Sequence, residues 1–305
     1  TVKPKRKKKL GKALLILGLF GFVMLAAAGT GVYFMFFRGG ASAEHKVRPP
    51  RDLQMDMFAY VPASPKHVRY IDLERGRECK DEEAQLAVDG VFPNALRMPT
   101  DLCYVCATSD SDQKVPANYL LSYGSPVDLA ALVAGLKLQP LTGKLSRVYV
   151  GRFETNEYAV FQPTPTKLFV ACSLASTKST KPSEQLLEEL LGREPSTSRL
   201  PTEWAAGITA VSGYPVIKVF NQAADHRPHT QFTGSVTTTS FKERYLIAEY
   251  YTVRQFGSAA DAKWWLNGPG AKSEPKQQPK RETLDDYSWL RGDKLHVFLR
   301  RKTSF

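Results

Sequence analysis

The sequence ALLILGLFGFVMLAAAGTGVYFMFF, residues 13–37, is a run of 25 residues without a charged side chain. An α-helix rises about 1.5 Å per residue, so this run would reach roughly 37 Å and could cross a hydrocarbon layer about 30 Å thick. A soluble core helix of this length would show a polar face, and this run shows none. The pattern therefore predicts one transmembrane helix, from which we work outward.

Positive charge is concentrated before this run. The preceding cations are Lys3, Lys5, Arg6, Lys7, Lys8, Lys9 and Lys12. Only Arg38 stands directly after the run. Because positive flanks stay in the cytoplasm, we expect residues 1–12 to be a basic cytoplasmic tail of an inner (plasma) membrane protein, with the remainder periplasmic. The tail can bind anionic lipid headgroups, and a nucleic-acid arm is the alternative interpretation.

Three further possibilities concern this N-terminal region. Ala41-Ser42-Ala43 resembles a signal peptidase site, so cleavage after Ala43 is an alternative, although the run exceeds the usual signal core of about 7–15 residues. Ala27 and Gly31 form a small-xxx-small pair that could support weak helix-mediated self-association. The chain begins with Thr1, which leaves open a cytoplasmic domain before it.

Charge outside the tail is ordinary. The chain carries a formal charge of +12, of which the first twelve residues contribute seven, so the remainder carries only +5. This removes the main argument for nucleic-acid binding by the outer part. We expect a linker at 38–55, a first α+β unit at 56–200, and a second at 201–305 with a flexible loop at 267–283.

A strand–strand–helix pattern occurs twice. Strands are expected at 102–107 and 118–123, followed by a helix at 129–136, and a hairpin at 233–255 also leads into a helix. The junctions are Tyr123-Gly124-Ser125-x-x-Asp128 and Phe256-Gly257-Ser258-x-x-Asp261. Ser and Asp at these positions are favourable caps. We interpret this as internal duplication of a ββα-containing unit; the alternative is that two helices share a good cap.

The overall pattern predicts an α+β fold of mainly antiparallel sheet with helices. Further helices are expected at 74–87, 182–191 and 201–211. A final strand is expected at 294–300, where apolar and polar residues largely alternate.

Four cysteines are present: Cys79, Cys103, Cys106 and Cys172. An exported domain could pair them in three ways. Cys103 and Cys106 form a CxxC, but their surroundings indicate a strand, on which residues three apart point to opposite faces. Buried strand cysteines or one long-range disulfide are therefore favoured over thiol chemistry.

Candidate catalytic and metal-binding groups are weak. His226 and His229 form a His-Arg-Pro-His loop that could hold zinc, but a third ligand is missing, so a solvated loop is favoured. Neither a nucleophile elbow, a phosphate-binding loop nor a zinc-protease motif occurs. The sequence indicates no catalytic residue and no cofactor. Tyr250, Tyr251, Trp264 and Trp265 are expected in the core, and joint exposure would mark a partner surface.

Four segments carry a family resemblance: FAYVPAS at 58–64, DLCYVCA at 101–107, GSPVDLAAL at 124–132 and LFVACS at 168–173. Their order over residues 57–300 resembles a group of uncharacterised bacterial envelope proteins. In that group a cytoplasmic piece, sometimes a kinase or zinc ribbon, precedes one span and a duplicated α+β outer domain. The resemblance implies a bacterial envelope location and this fold, and it transfers no catalytic residue.

The first functional hypothesis is a membrane-anchored extracytoplasmic binding or scaffolding protein without catalysis of its own. It implies a protein partner in the envelope and no nucleic acid. Three alternatives remain: the sensor part of a receptor, an accessory subunit of a membrane complex, and a metal- or thiol-dependent envelope enzyme.

Overall fold

Strands dominate the part of the chain that the structure describes. This computed structural model describes residues 47–61, 65–82, 84, 101–109, 118–141, 147–153, 156–174, 200–222, 227–240, 245–267 and 282–304. Over these residues twelve strands form one antiparallel sheet, in the order β11-β12-β10-β9-β8-β1-β2-β3-β7-β6-β5-β4.

The first seven strands are β1 (His67–Asp72), β2 (Leu102–Ser109), β3 (Asn118–Tyr123), β4 (Gln139–Pro140), β5 (Tyr149–Phe153), β6 (Asn156–Thr164) and β7 (Lys167–Leu174). The remaining strands are β8 (Val216–Gln222), β9 (His229–Ser240), β10 (Tyr245–Phe256), β11 (Glu282–Arg291) and β12 (Lys294–Ser304). The described helices are α1 (Leu73–Cys79), α2 (Leu129–Gly135), α3 (Ala205–Val211) and α4 (Ala259–Asn267), with 3₁₀ helices at Met55–Phe58 and Thr202–Trp204.

The two halves of the sheet follow the same strand order. Reading outward from the centre, the first half runs β1-β2-β3-β7-β6 and the second runs β8-β9-β10-β12-β11. The halves join where β1 pairs antiparallel with β8, with Tyr70 opposite Ile217. This is the arrangement that a two-fold axis perpendicular to the sheet, between β1 and β8, would produce.

Each face of the sheet has its own core, because successive strand residues point to opposite faces. The first face carries the 3₁₀ helix Met55–Phe58 over β2 and β3, and α3 over β9 and β10. Its core is one cluster that extends across both halves, from Phe169 through Tyr70 to Phe298. The second face carries separate clusters beneath α2 and α4.

A row of side chains crosses the centre of the first face. Tyr251 lies opposite both Gly234 and Phe298, and Gly234 in turn lies opposite Ile217. A β-carbon on Gly234 would come within 2.5 Å of the Tyr214 ring. Glycine is therefore needed here so that Tyr214 can lie flat against the sheet.

Aspartates determine where the short helices begin. The Asp72 carboxylate accepts a hydrogen bond from the Arg75 backbone N–H at the start of α1. The Asp128 carboxylate caps α2 in the same way, accepting from the N–H of Ala131. Side-chain caps of this kind are typically worth about 1 kcal/mol. In α4 the cap is instead Ser258, whose hydroxyl accepts from the N–H of Asp261.

The predicted α+β fold with a transmembrane helix was wrong. Strands of up to 12 residues make a single sheet, whereas the described helices have only seven to nine residues and lie on it without forming a layer. None of the described helices is long and apolar enough to cross a membrane. Residues 13–37, on which that prediction rested, lie outside the described residues.

Several local predictions have a clear outcome. The strands at 102–107 and 118–123, the helix at 129–136 and the final strand are confirmed. The helix expected over 74–87 is interrupted, because Lys80 adopts a left-handed conformation with φ 54°. Glu82 and Ala84 are helical again, and residues 83 and 85–87 lie outside the described residues. The helix expected at 182–191 lies outside the described residues.

Candidate functional site

A groove with a largely apolar lining lies on the first face. One wall is the segment 47–55, which we call the strap; the other is α3 with the 3₁₀ helix before it. The groove encloses about 430 Å³. Its lining is Arg51, Asp52, Leu53, Met55, Leu200, Pro201, Thr202, Ala205, Ile208, Thr209 and Ser212.

The groove exposes apolar surface that a folded chain normally buries. Met55 is 47% exposed, one of two large apolar side chains that stay exposed in the described part of the chain. Ile208 at the base is almost fully buried and belongs to the core of the first face. Leu53 and Leu200 are half-buried and pack against the same core. The groove is therefore continuous with the core that supports it.

The strap is tied to the turn between α3 and β8. The backbone N–H of Arg51 donates to the Ser212 hydroxyl at 2.9 Å. At the next residue, a β-carbon on Gly213 would lie 2.6 Å from the Arg48 carbonyl oxygen, so only glycine permits this approach. The Arg75 guanidinium donates to the Ser212 carbonyl at 2.7 Å from the other side. These contacts fix the distance between the two groove walls.

Arg48 holds the beginning of the strap. Its guanidinium lies 5.8 Å from the centre of the Tyr214 ring and 3.8 Å from the Glu249 carboxylate. Glu249 also lies 3.5 Å from Arg300, so one carboxylate faces two guanidiniums. A cation over an aromatic face is worth about 0.5–1 kcal/mol at a partly exposed site.

Electrostatics at the groove edge are asymmetric. The Arg51 guanidinium lies 3.7 Å from the Glu78 carboxylate, and both side chains are largely exposed. Asp52 follows directly, is exposed, and has no cation within ion-pair distance among the described residues. Of the two charged side chains that line the groove, Asp52 is therefore the one without an ion-pair partner among the described residues. A second open cavity of about 450 Å³ adjoins it, between Pro50–Asp52 and Thr209.

The described cysteines are free thiols, and Cys103 and Cys106 have little tendency to ionise. Burial raises the pKa of Cys106 to about 12. Burial also raises the pKa of Cys103, and the nearby Glu74 adds to the effect. Cys79 is half-buried and accepts a hydrogen bond from the Arg48 guanidinium at 3.6 Å. Because the thiolate is the reactive form, the Cys103-x-x-Cys106 pair is poorly suited to redox chemistry. The side chain of Cys172 lies outside the described part.

The histidine loop contacts α4. His229 is 95% buried, stacks on Phe256 at 4.9 Å and lies 4.8 Å from the Trp265 ring. Its pKa is lowered, chiefly by burial and further by the Arg254 charge. Arg227 forms an ion pair with Asp261 and lies over Trp264 at 4.7 Å. His226 lies outside the described residues, and those described contain no group of three metal-ligating side chains.

A second histidine, His296, is half-buried on the first face. The Nδ1 atom of His296 and the hydroxyl of Tyr251 share a hydrogen bond of 2.8 Å. The imidazole stacks on Trp289 with centroids 5.2 Å apart and planes only 8° from parallel. Its pKa is lowered by burial and by the Lys294 and Arg291 charges. This ring completes an aromatic stack, and the charges that act on it among the described side chains are the cations Lys294 and Arg291.

Two carboxylates with shifted pKa values lie at the beginnings of helices. Burial raises the pKa of Asp72, which caps α1. Hydrogen bonds from Ser258 and Arg227 lower the pKa of Asp261, which lies in the first turn of α4. The two groups are on different helices and in different halves of the sheet. Their shifts therefore do not indicate an acid–base pair of the kind that catalysis uses.

The aromatic residues singled out in the sequence have separate environments. Tyr251 is buried in the first-face core. Trp265, a residue of α4, is partly buried and packs against the cluster beneath that helix. Trp264 is 36% exposed beneath the Arg227 guanidinium. They do not form one exposed platform. The basic residues that flank the apolar run, from Lys5 to Lys12 and Arg38, lie outside the described residues.

Sequence reasoning missed the groove. The expected linker at 38–55 includes residues 47–55, yet Val47 and Leu53 pack against the core. A usable signal was the spacing of Leu53, Met55 and Met57, apolar residues in a segment otherwise read as polar. The opposite wall comes from residues 200–212, so no local pattern could have shown that the two meet.

Comparison with known proteins finds no matching family, no curated relative and no solved structure of similar fold. The resemblance to bacterial envelope proteins therefore stays a prediction.

Proposed function

We propose that this protein is an extracytoplasmic binding or scaffolding protein without catalysis of its own, and that the groove between the strap and α3 receives a protein partner. The observation that carries the proposal is the apolar lining of this groove, in which Met55 on the strap is 47% exposed and Ile208 forms the buried base. Exposed apolar surface in a concave site is a common mark of a partner-binding site.

The rigidity of the walls supports a binding role. A site that is formed before its partner arrives loses less conformational entropy on association. Here the Ser212 hydroxyl accepts a hydrogen bond from the strap, and the Ser212 carbonyl accepts one from Arg75. Ser212 therefore connects the strap to the end of α3 and is itself held in place. The exposed residues Met55, Ala205 and Thr209 then stand on supported backbone.

The chemistry of the described residues argues against an enzyme. Ionisable groups with shifted pKa values serve as helix caps, as core thiols or as members of aromatic stacks. A general acid or base needs a reactive group beside it in a cleft. The groove itself is lined by the exposed Arg51 and Asp52 and otherwise by apolar and hydroxyl side chains.

Location at the inner membrane is part of the proposal and is supported by the basic tail and the apolar residues 13–37. Protease added to intact spheroplasts should then remove residues 47–305. Full protection of this portion would contradict the extracytoplasmic location.

Two neighbouring alanines provide the test of partner binding. Ala205 and Ala206 are both exposed in the first turn of α3, but only Ala205 lines the groove. Glutamate is favourable near a helix N-terminus, so Ala205→Glu and Ala206→Glu should both fold. Only Ala205→Glu should reduce recovery of a co-purifying protein from mild-detergent membrane extract, by at least about tenfold. Equal recovery with both variants would refute the groove as the binding site.

A further inference from the structure

We infer that the groove recognises an extended polypeptide segment in which a basic residue stands beside apolar side chains, with Asp52 contacting the basic residue. This inference rests on the proposed function and specifies the chemistry of the partner.

The shape of the groove fits a short extended segment. Its helical wall runs from Thr202 to Ser212, about 15 Å at a helical rise of 1.5 Å per residue. An extended chain advances about 3.3 Å per residue, so four or five residues would span this wall. Two adjoining cavities of about 430 and 450 Å³ lie along this path.

Two of the three hydroxyl groups that line the groove, those of Thr209 and Ser212, are already engaged in hydrogen bonds. The Ser212 hydroxyl accepts from the Arg51 N–H and donates to the Thr209 carbonyl, each at 2.9 Å. The Thr209 hydroxyl donates to the Ala205 carbonyl at 2.8 Å. A ligand rich in hydroxyls, such as a sugar, would find few unsatisfied partners on this wall. Apolar side chains need no hydrogen-bond partner, so contact with this wall costs them no hydrogen bond and the wall favours them.

Charge gives the segment its second feature. Arg51 forms an ion pair with Glu78, whereas Asp52 forms no ion pair with a described cation. A partner anion near this edge would meet the Asp52 carboxylate, and a partner cation would complete a pair with it. Because Asp52 is exposed, the pair contributes modestly and mainly sets preference among partners.

Apolar residues share the groove with Asp52. Met55, Leu200 and Pro201 line the groove but not the adjoining cavity of about 450 Å³. Asp52 lines both cavities. A basic residue with apolar neighbours therefore matches the groups that line the groove, and a purely basic segment would leave Met55 and Leu200 uncovered.

The test uses three fluorescent peptides with the cores Leu-Lys-Leu-Leu, Leu-Gln-Leu-Leu and Leu-Glu-Leu-Leu, each flanked by Gly and Ser. Binding to the full chain is measured by anisotropy at low and high salt. We expect the lysine peptide to bind about threefold to tenfold tighter than the glutamate peptide, with the glutamine peptide between them. The difference should shrink at high salt, because exposed charges are screened.

A charge reversal supplies the decisive variant. Asp52→Lys should invert the order, so that the glutamate peptide binds tightest. Glu203→Lys is the matched control, because Glu203 is exposed beside the groove without lining it, and it should keep the original order. An order unchanged by Asp52→Lys, or no binding of any peptide, would overturn the inference. If Ala205→Glu still abolished partner recovery in that case, the proposed function would stand without this specificity.

Discussion

Replacement of Arg75 by methionine should loosen both the junction of the two halves and the groove. Arg75 is 6% exposed, and its guanidinium donates to the Ser212 carbonyl, 137 residues away, at 2.7 Å. A hydrogen bond from a charged donor contributes about 1.5–3 kcal/mol. Burial lowers the pKa of Arg75, which means that the charge is held at a cost. Because methionine removes this cost while keeping apolar bulk, we expect a net loss of about 1–2 kcal/mol.

Urea unfolding followed by tryptophan fluorescence measures this loss, since Trp204 is buried beside α3. Arg77→Met is the matched control on the same helix, because Arg77 is exposed and its hydrogen bond to the Leu102 carbonyl is long, at 3.4 Å. Its free energy of unfolding should change by less than about 0.5 kcal/mol. Arg75→Met should also weaken peptide binding, because Ser212 positions the strap. Equal stability of the two variants would refute the assigned role of Arg75.

Three further predictions concern stability and reactivity. The pKa values of His229 and His296 are lowered in the folded state from the ordinary value near 6.5, so the unfolded state binds more protons. The free energy of unfolding should therefore fall as the pH drops below about 6.5. A melting temperature unchanged from pH 8 to pH 5 would contradict this. Gly234→Ala should destabilise by about 1–3 kcal/mol through the clash with Tyr214, whereas Gly257→Ala has open space and should not; denaturant titration of both decides. Among the described thiols, Cys79 should be alkylated first and Cys106 only on unfolding, as peptide mapping by mass spectrometry would reveal; early modification of Cys106 would count against its burial.

Local chemistry predicted the elements that depend on neighbouring residues. The serine–aspartate caps and the apolar period located α2 and α4, and the alternation of residues located β10 and β12. Even there the caps differ, because Asp128 caps α2 while Ser258 caps α4. Ser125, expected as the first cap, instead donates to the Asp101 carboxylate.

Contacts between residues far apart in the sequence determine the features that local patterns did not predict. The pairing of β1 with β8 joins residues about 150 positions apart, and it makes a single sheet from what was read as two units. β11 was missed because aspartates and serine, which strands disfavour, interrupt its sequence. The groove depends on a hydrogen bond between Arg51 and Ser212, separated by 161 residues. Neither partner carries a local motif for this contact.

Site-specific photo-crosslinking tests the groove most directly. A photoreactive phenylalanine analogue would replace Met55 in the groove or, as the control, Ala134, which is exposed on α2 on the second face. The account predicts a crosslinked partner from position 55 that is absent from position 134, that is lost with Ala205→Glu and that persists with Ala206→Glu. Crosslinking from position 55 that Ala205→Glu leaves unchanged, or equal products from both positions, would contradict the account.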